Sequence, residues 1–171
     1  NHSFLLLYID NSSAQKNLIK EIVKRGINSK RLVFGKRLNR PEYLARYRVA
    51  DLFLDTQPYN AGTTASDALR MGLPMLTLIG KAYQARMGAS IVNALNLPEL
   101  ITKTPEEYES LAIELATNPD KLKAIKDKLA NNLSTAPLYD TKLFAKNLES
   151  AYTQMYERHH KGLKPDHIYV E

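Results

Sequence analysis

Four short apolar segments, each followed by a stretch of helical periodicity, constrain this chain more than any other feature. Phe4 to Ile9 is apolar without polar alternation, the pattern of a strand buried on both faces of a parallel sheet rather than of a half-exposed strand. Ser12 and Ser13 then offer helix caps, Leu18, Ile19, Ile22 and Val23 share one helical face, and Gly26 stands where a helix stops. Leu32 to Phe34 follows as a strand, then a basic loop, a short helix from about Pro41 to Val49 and a strand from Leu52 to Asp55. Thr63 to Met71 reads as the next helix, Gly72 and Pro74 punctuate it, and Met75 to Leu78 gives a fourth strand before a helix around Arg86 to Leu95. Strand and helix alternating in this way specify a doubly wound α/β domain.

The last third is expected to be helical. Thr104, Pro105 and Glu107 form a capping box ahead of Tyr108, Leu111, Ala112 and Leu115. Asn118 and Pro119 restart the signal for a helix carrying Leu122, Ile125 and Leu129. A final helix from about Thr141 carries Phe144, Leu148, Ala151, Tyr152 and Met155, and these stripes read as core. Ser134 to Asp140 is linker-like, and Gly162 to Glu171 loses periodicity and is expected to wrap on the surface. With no internal repeat or low-complexity segment, residues 1–171 read as one domain, long enough to bury roughly 70% of the surface of its unfolded chain.

Composition removes several chemistries. Zero cysteines exclude disulfides, thiolate catalysis and CxxC zinc sites, leaving His2, His159, His160 and His167 as nitrogen ligands. His159 and His160 are adjacent and point about 100° apart on a helix, so no metal site is expected. The longest apolar run is too short to span a bilayer and no signal sequence opens the chain, so the expectation is a cytoplasmic protein without membrane contact. The absence of an initial methionine makes the chain read as a fragment.

In parallel α/β sheets ligands bind outside the carboxyl ends of the strands, so the loops there carry the chemistry. The third of them brings Gly62, Thr63 and Thr64 to a helix start. A glycine, free first-turn N–H groups and two hydroxyls favour a phosphate or pyrophosphate. Asp67 would repel phosphate and suits a sugar hydroxyl better; the alternative is a capping box of Thr64 and Asp67. In the second loop, Arg40, Tyr43 and Arg46 fall at three-residue spacing and share one face, a ring and guanidinium groups suited to a nucleobase. The alternative is a solvated basic turn.

Ala50 to Asp55 (ADLFLD) and Pro58 to Leu78 (PYNAGTTASDALRMGLPMLTL) resemble the C-terminal lobe of glycosyltransferase family 41, the O-GlcNAc transferase type. RLVF at Arg31 to Phe34, APLYDT at Ala136 to Thr141 and KPDH at Lys164 to His167 agree. The resemblance implies one Rossmann-like lobe of a GT-B enzyme that transfers a sugar from UDP-GlcNAc to Ser or Thr of proteins with inversion. It implies that Thr63 and Thr64 hold the pyrophosphate, Asp67 the ribose and Arg46 the uracil, that Leu38 offers the base backbone groups, and that Arg40 stands where the family has a lysine near the ribose. Gly62 and Tyr43 replace family histidines. Loss of an imidazole beside the diphosphate removes a donor worth about 1 to 3 kcal/mol, whereas tyrosine still stacks.

The same resemblance implies that the family's diphosphate lysine, the first lobe and the tetratricopeptide repeats that recruit protein acceptors lie outside this sequence. No catalytic residue is therefore assigned, and the chain alone is expected to be inactive. No cofactor or divalent cation is implied; the nucleotide sugar is a substrate. Related members use UDP-glucose or GDP-fucose, which leaves another donor as an alternative. A second is a non-catalytic nucleotide-binding or interaction domain. Residues 1–50 hold eleven Lys or Arg against three acids, including Lys36, Arg37, Arg40, Arg46 and Arg48. That basic excess raises nucleic acid as a partner, but its residues flank the nucleotide crevice, so no nucleic-acid partner is expected.

Overall fold

A computed structural model describes residues 3–170. Strands β1 (Leu5–Tyr8) and β2 (Leu32–Gly35) pair in parallel, with Leu5 opposite Leu32 and Tyr8 opposite Gly35. Strands β3 (Phe53–Leu54), β4 (Met75–Leu78) and β5 (Ile101–Thr102) form a second parallel sheet in the order β3-β4-β5. The four strands expected from sequence are present within a residue or two. β5 escaped notice because two residues are too few to show a period.

Helices α1 (Ser12–Lys24), α2 (Arg40–Arg46), α3 (Thr63–Arg70) and α4 (Met87–Ala94) connect the strands. Helices α5 (Pro105–Thr117), α6 (Pro119–Asn132) and α7 (Thr141–His160) make the helical C-terminal third. Asn11, rather than Ser12 or Ser13, caps α1 by accepting from the Ala14 N–H at 2.9 Å. Thr104 caps α5, but the Glu107 carboxyl reaches back to the Lys103 N–H at 2.7 Å, one residue beyond a reciprocal capping box. Asn118 caps α6 and Asp140 caps α7.

The core lies around β4. Met75, Leu76 and Thr77 are fully buried there, and Met75 packs among Leu69 of α3, Val92 and Leu95 near α4, Leu115 of α5, and Ile125 and Leu129 of α6. The expected faces of α5 and α6 are thus the ones that turn inward. A strand with helices on both faces keeps no side for water, and this explains its largely apolar sequence.

Two expectations of burial fail. Leu5, Leu6 and Tyr8 of β1 are 43%, 38% and 48% exposed, and α1 contributes no fully buried residue. The β1–β2 pair is not hydrogen-bonded to the other three strands, and so lacks the neighbours that would bury both of its faces. Along α7, Phe144, Leu148, Tyr152 and Met155 are exposed, while Asn147, Ser150, Ala151 and Arg158 are the half-buried side. The apolar stripe of α7 therefore faces away from the core.

The linker-like segment is also tied down. It contains a 3-10 turn at Pro137–Tyr139, and the Tyr139 hydroxyl donates to the Ser66 carbonyl at 2.8 Å. Residues after Gly162 form no regular element up to residue 170 and fold back on α7, where Arg158 donates to the Lys164 carbonyl at 2.5 Å and pairs with Asp166 at 3.3 Å.

Leu129→Ala is expected to lower unfolding free energy by about 2 to 5 kcal/mol, because a fully buried leucine leaves a cavity, whereas Phe144→Ala should change it by less than about 0.5 kcal/mol. Urea unfolding of the two variants checks the pair.

Candidate functional site

The loop after β3 is held by a buried carboxyl group. Asp55, 5% exposed, accepts from the Thr56 N–H at 2.9 Å, the Ala61 N–H at 2.8 Å and the Thr77 hydroxyl at 2.6 Å. Its backbone carbonyl accepts from the Tyr108 hydroxyl at 2.9 Å. Asn60, 2% exposed, donates to the Thr56 carbonyl at 2.9 Å and accepts from the Gly88 N–H at 3.4 Å. Gln57 donates to the Leu78 carbonyl, and the Gln57–Pro58 peptide is cis. These contacts fix where Gly62 emerges, and with it the start of α3.

Gly62 is the N-cap of α3, and no side chain caps that end. The first-turn N–H groups have no partner inside a helix, so they and the Thr63 and Thr64 hydroxyls can be offered to an anion. The capping box of Thr64 and Asp67 does not form. Both oxygens of Asp67 instead accept from Arg40, at 2.8 and 2.9 Å.

That pair joins the two loops. Asn39 caps α2 by accepting from the Glu42 N–H at 3.1 Å, and Pro41 starts the helix with its φ preset. The helical spacing then sets the Arg40 and Arg46 guanidinium groups 5.5 and 5.7 Å from the Tyr43 ring centroid. Arg46 also donates to the Lys36 carbonyl at 3.1 Å and lies so close to Gly35 that a Cβ there would be 2.9 Å from Nη1. Arg40 is exposed while Asp67 is mostly buried, so the pair is open to solvent on the arginine side, from which a ligand hydroxyl can reach the carboxyl oxygens.

Of the residues singled out from sequence, Arg40, Tyr43, Arg46 and Asp67 form one cluster. Gly62, Thr63 and Thr64 form the adjoining helix start. Leu38 lies on the loop before α2, partly exposed, and none of the hydrogen bonds that assemble the cluster involves it.

Sequence reasoning did not single out four contributors. Asp55 and Asn60 shape the loop. Tyr47, four residues after Tyr43 and therefore on the same helical face, has its hydroxyl 2.5 Å from that of Tyr43. Met87 packs near Gly62, and with Tyr83, Arg86, Ser90 and Asn93 it lines a cavity of about 520 Å³. The spacing signalled Tyr47; the burial of Asp55 and Asn60 has no local signature.

Among the described residues no three His, Asp or Glu side chains come together as a metal site. His160 packs against Tyr156, with ring centroids 4.1 Å apart, and His2 lies outside the described residues. No described helix is long and apolar enough to cross a membrane.

Comparison with known proteins identifies the family. The model of glycosyl transferase family 41 matches residues 2–148, and the chain belongs to that family. It is 34% identical over 154 residues to the Caenorhabditis elegans UDP-N-acetylglucosamine–peptide N-acetylglucosaminyltransferase, a match that covers 90% of this chain and 13% of that protein. It is 35% identical over 147 residues to the probable enzyme of this name, SEC, from Arabidopsis thaliana, covering 85% of this chain and 15% of the relative. The structure superposes on a Thermobaculum terrenum O-GlcNAc transferase mutant, K341M, with a TM-score of 0.83 and 31% identity, over 90% of this chain and 30% of the other. The expected architecture, a Rossmann-like lobe of the GT-B type, is therefore the one observed, with its parallel strands divided between two sheets.

A Cβ on Gly88 would fall 2.3 Å from Asp55 Oδ2 and 2.4 Å from Thr77 Oγ1. Gly88→Ala is thus expected to cost about 1 to 3 kcal/mol of stability and to shift the amide resonances of residues 55–63, as NMR would show. Burial, and after it the charge of Asp55, pushes the Tyr108 phenol up to about 12 from 10.0. A raised folded-state value means that this stabilisation is whole below pH 10 and is lost as pH rises through about 12. Urea midpoints should fall over that window, and less steeply in Tyr108→Phe.

Proposed function

We propose that this chain is the donor-binding lobe of a protein O-glycosyltransferase that moves N-acetylglucosamine from its UDP donor to serine or threonine hydroxyls with inversion. The observation that carries this reading is the convergence of Arg40, Tyr43, Arg46 and Asp67 beside an uncapped helix start. A uracil stacks on Tyr43 and hydrogen-bonds Arg46, with Leu38 supplying backbone groups to the base. The ribose hydroxyls take the Asp67 carboxyl, and Arg40 stays beside them. The diphosphate lies against Gly62, Thr63 and Thr64.

In transfer the charge that matters is the one that grows on the leaving UDP. The Thr63 and Thr64 hydroxyls and the positive end of α3 stabilise it, and the buried Asp55 and Asn60 contacts hold those donors in place before the reaction begins. No metal or other cofactor is called for. The acceptor serine or threonine belongs to the protein substrate, and any base that activates it to parts of the enzyme beyond this chain, which spans 13% and 15% of the two curated relatives. The chain alone is accordingly inactive, and the parent works in the cytoplasm on protein substrates without nucleic acid or membrane.

Titration of UDP, UMP and GDP into the chain by calorimetry tests the reading. UDP is expected to bind more tightly than either of the others, and Asp67→Ala or the Thr63→Ala, Thr64→Ala double variant to weaken it about tenfold or more. Tighter binding of GDP would overturn the donor assignment. Gly62 has φ −106°, and a Cβ there meets only Met87 Cγ, at 3.9 Å. Gly62→His should therefore fold normally and bind UDP up to about tenfold more tightly, through one added donor to the diphosphate.

A further inference from the structure

The base face and the diphosphate face of the site are joined by a residue to which neither the sequence motifs nor the comparisons give a role. Tyr43 and Tyr47 meet edge to face, with ring centroids 5.2 Å apart and an interplanar angle of 75°. Their hydroxyl oxygens are 2.5 Å apart, and the Tyr47 hydroxyl donates onward to the Thr64 carbonyl at 3.4 Å. Each phenol has one proton to give. With the Tyr47 proton directed to Thr64, the Tyr43 proton is directed to Tyr47, so the donors run in one direction from the ring that faces the base to the first turn of α3.

We propose that Tyr47 is a positioning residue for the nucleotide: through its hydroxyl it fixes the Tyr43 ring against the base and ties that ring to the backbone that receives the diphosphate. The inference rests on the donor-lobe reading above.

Three features favour this role over simple packing. Tyr43 stands in a first turn whose outer neighbours, Arg40 and Arg46, are long and flexible cations; they approach its ring but cannot hold its rotamer. Among the described residues the Tyr43 hydroxyl bonds to that of Tyr47. Tyr47 in turn reaches a main-chain carbonyl rather than a mobile side chain, so the brace ends on a fixed point. Burial, and after it the hydrogen bond with Tyr43, holds the Tyr47 phenol above its ordinary value, and the group stays protonated across the neutral range. A brace of this kind reduces the rotamer freedom that the ring must lose when a base stacks on it, which raises affinity without adding a contact to the ligand.

A double-mutant cycle on UDP binding tests the proposal with the whole 171-residue chain. Tyr47→Phe keeps the ring and removes the hydroxyl, and Tyr43→Phe removes the other member of the same bond. Each is expected to weaken UDP by about three- to tenfold with a thermal midpoint close to that of the unchanged chain. Because both delete one linkage, the Tyr43→Phe, Tyr47→Phe variant should be no weaker than either single variant. Losses that multiply, or a Tyr47→Phe chain that binds UDP as tightly as the unchanged one, would overturn the positioning role while leaving the donor reading intact. An unchanged chain that binds no UDP would overturn both.

Discussion

A carboxyl group removed from water must find donors for its oxygens, and the chain meets that requirement for Asp55 with groups from three places. Thr77 lies on the central strand, Ala61 lies at the far end of the loop, and Thr56 is the next residue. Satisfying one side chain in this way determines the path of the loop. Gly88 makes the arrangement possible, since α4 can press its backbone against Asp55 and Thr77 only where no Cβ intervenes. The start of α3 is thus positioned by the core of the β3-β4-β5 sheet rather than by its own sequence. That is what a site for a charged leaving group requires, because donors that need no rearrangement are the effective ones.

Around that fixed point the polar groups become progressively more exposed. Asp55 and Asn60 are buried, Asp67 is mostly so, Tyr43 and Tyr47 are half-buried and Arg40 is open to solvent. Stability is concentrated at the inner end and adaptability at the outer end. The Arg40–Asp67 pair closes the site on itself, with its arginine at the solvent side. The basic excess of residues 1–50 acquires a location here too, since two of its arginines flank the Tyr43 ring.

Much of this was legible in the sequence because strands buried on both faces and helices with one apolar face leave strong periodic signals. Met75 to Leu78 and the stripe of Leu122, Ile125 and Leu129 are the best cases. The same signal misled where the pattern was right but the face is uncovered: Phe144, Leu148, Tyr152 and Met155 along α7 and Leu5, Leu6 and Tyr8 in β1 are apolar or aromatic and exposed. Periodicity reports which face is apolar and says nothing about what covers it. In the site, motif spacing brought out Arg40, Tyr43, Arg46, Thr63, Thr64 and Asp67. It did not show Arg40 as a partner of Asp67, because the local capping box kept as an alternative and a bond to a residue 27 positions away look alike in sequence. The role of Asp55 depends on Thr77, 22 residues on, and was invisible for the same reason.

The central claim is that one nucleotide diphosphate lies across α2 and the start of α3. A crystal structure of the chain with UDP tests it most directly. The account predicts uracil on the Tyr43 ring, ribose hydroxyls on Asp67 in place of the Arg40 contact, and phosphate oxygens on the Thr63 and Thr64 hydroxyls and first-turn amides. A nucleotide seated instead in the cavity lined by Tyr83, Arg86 and Asn93, with the Arg40–Asp67 pair undisturbed, would contradict it.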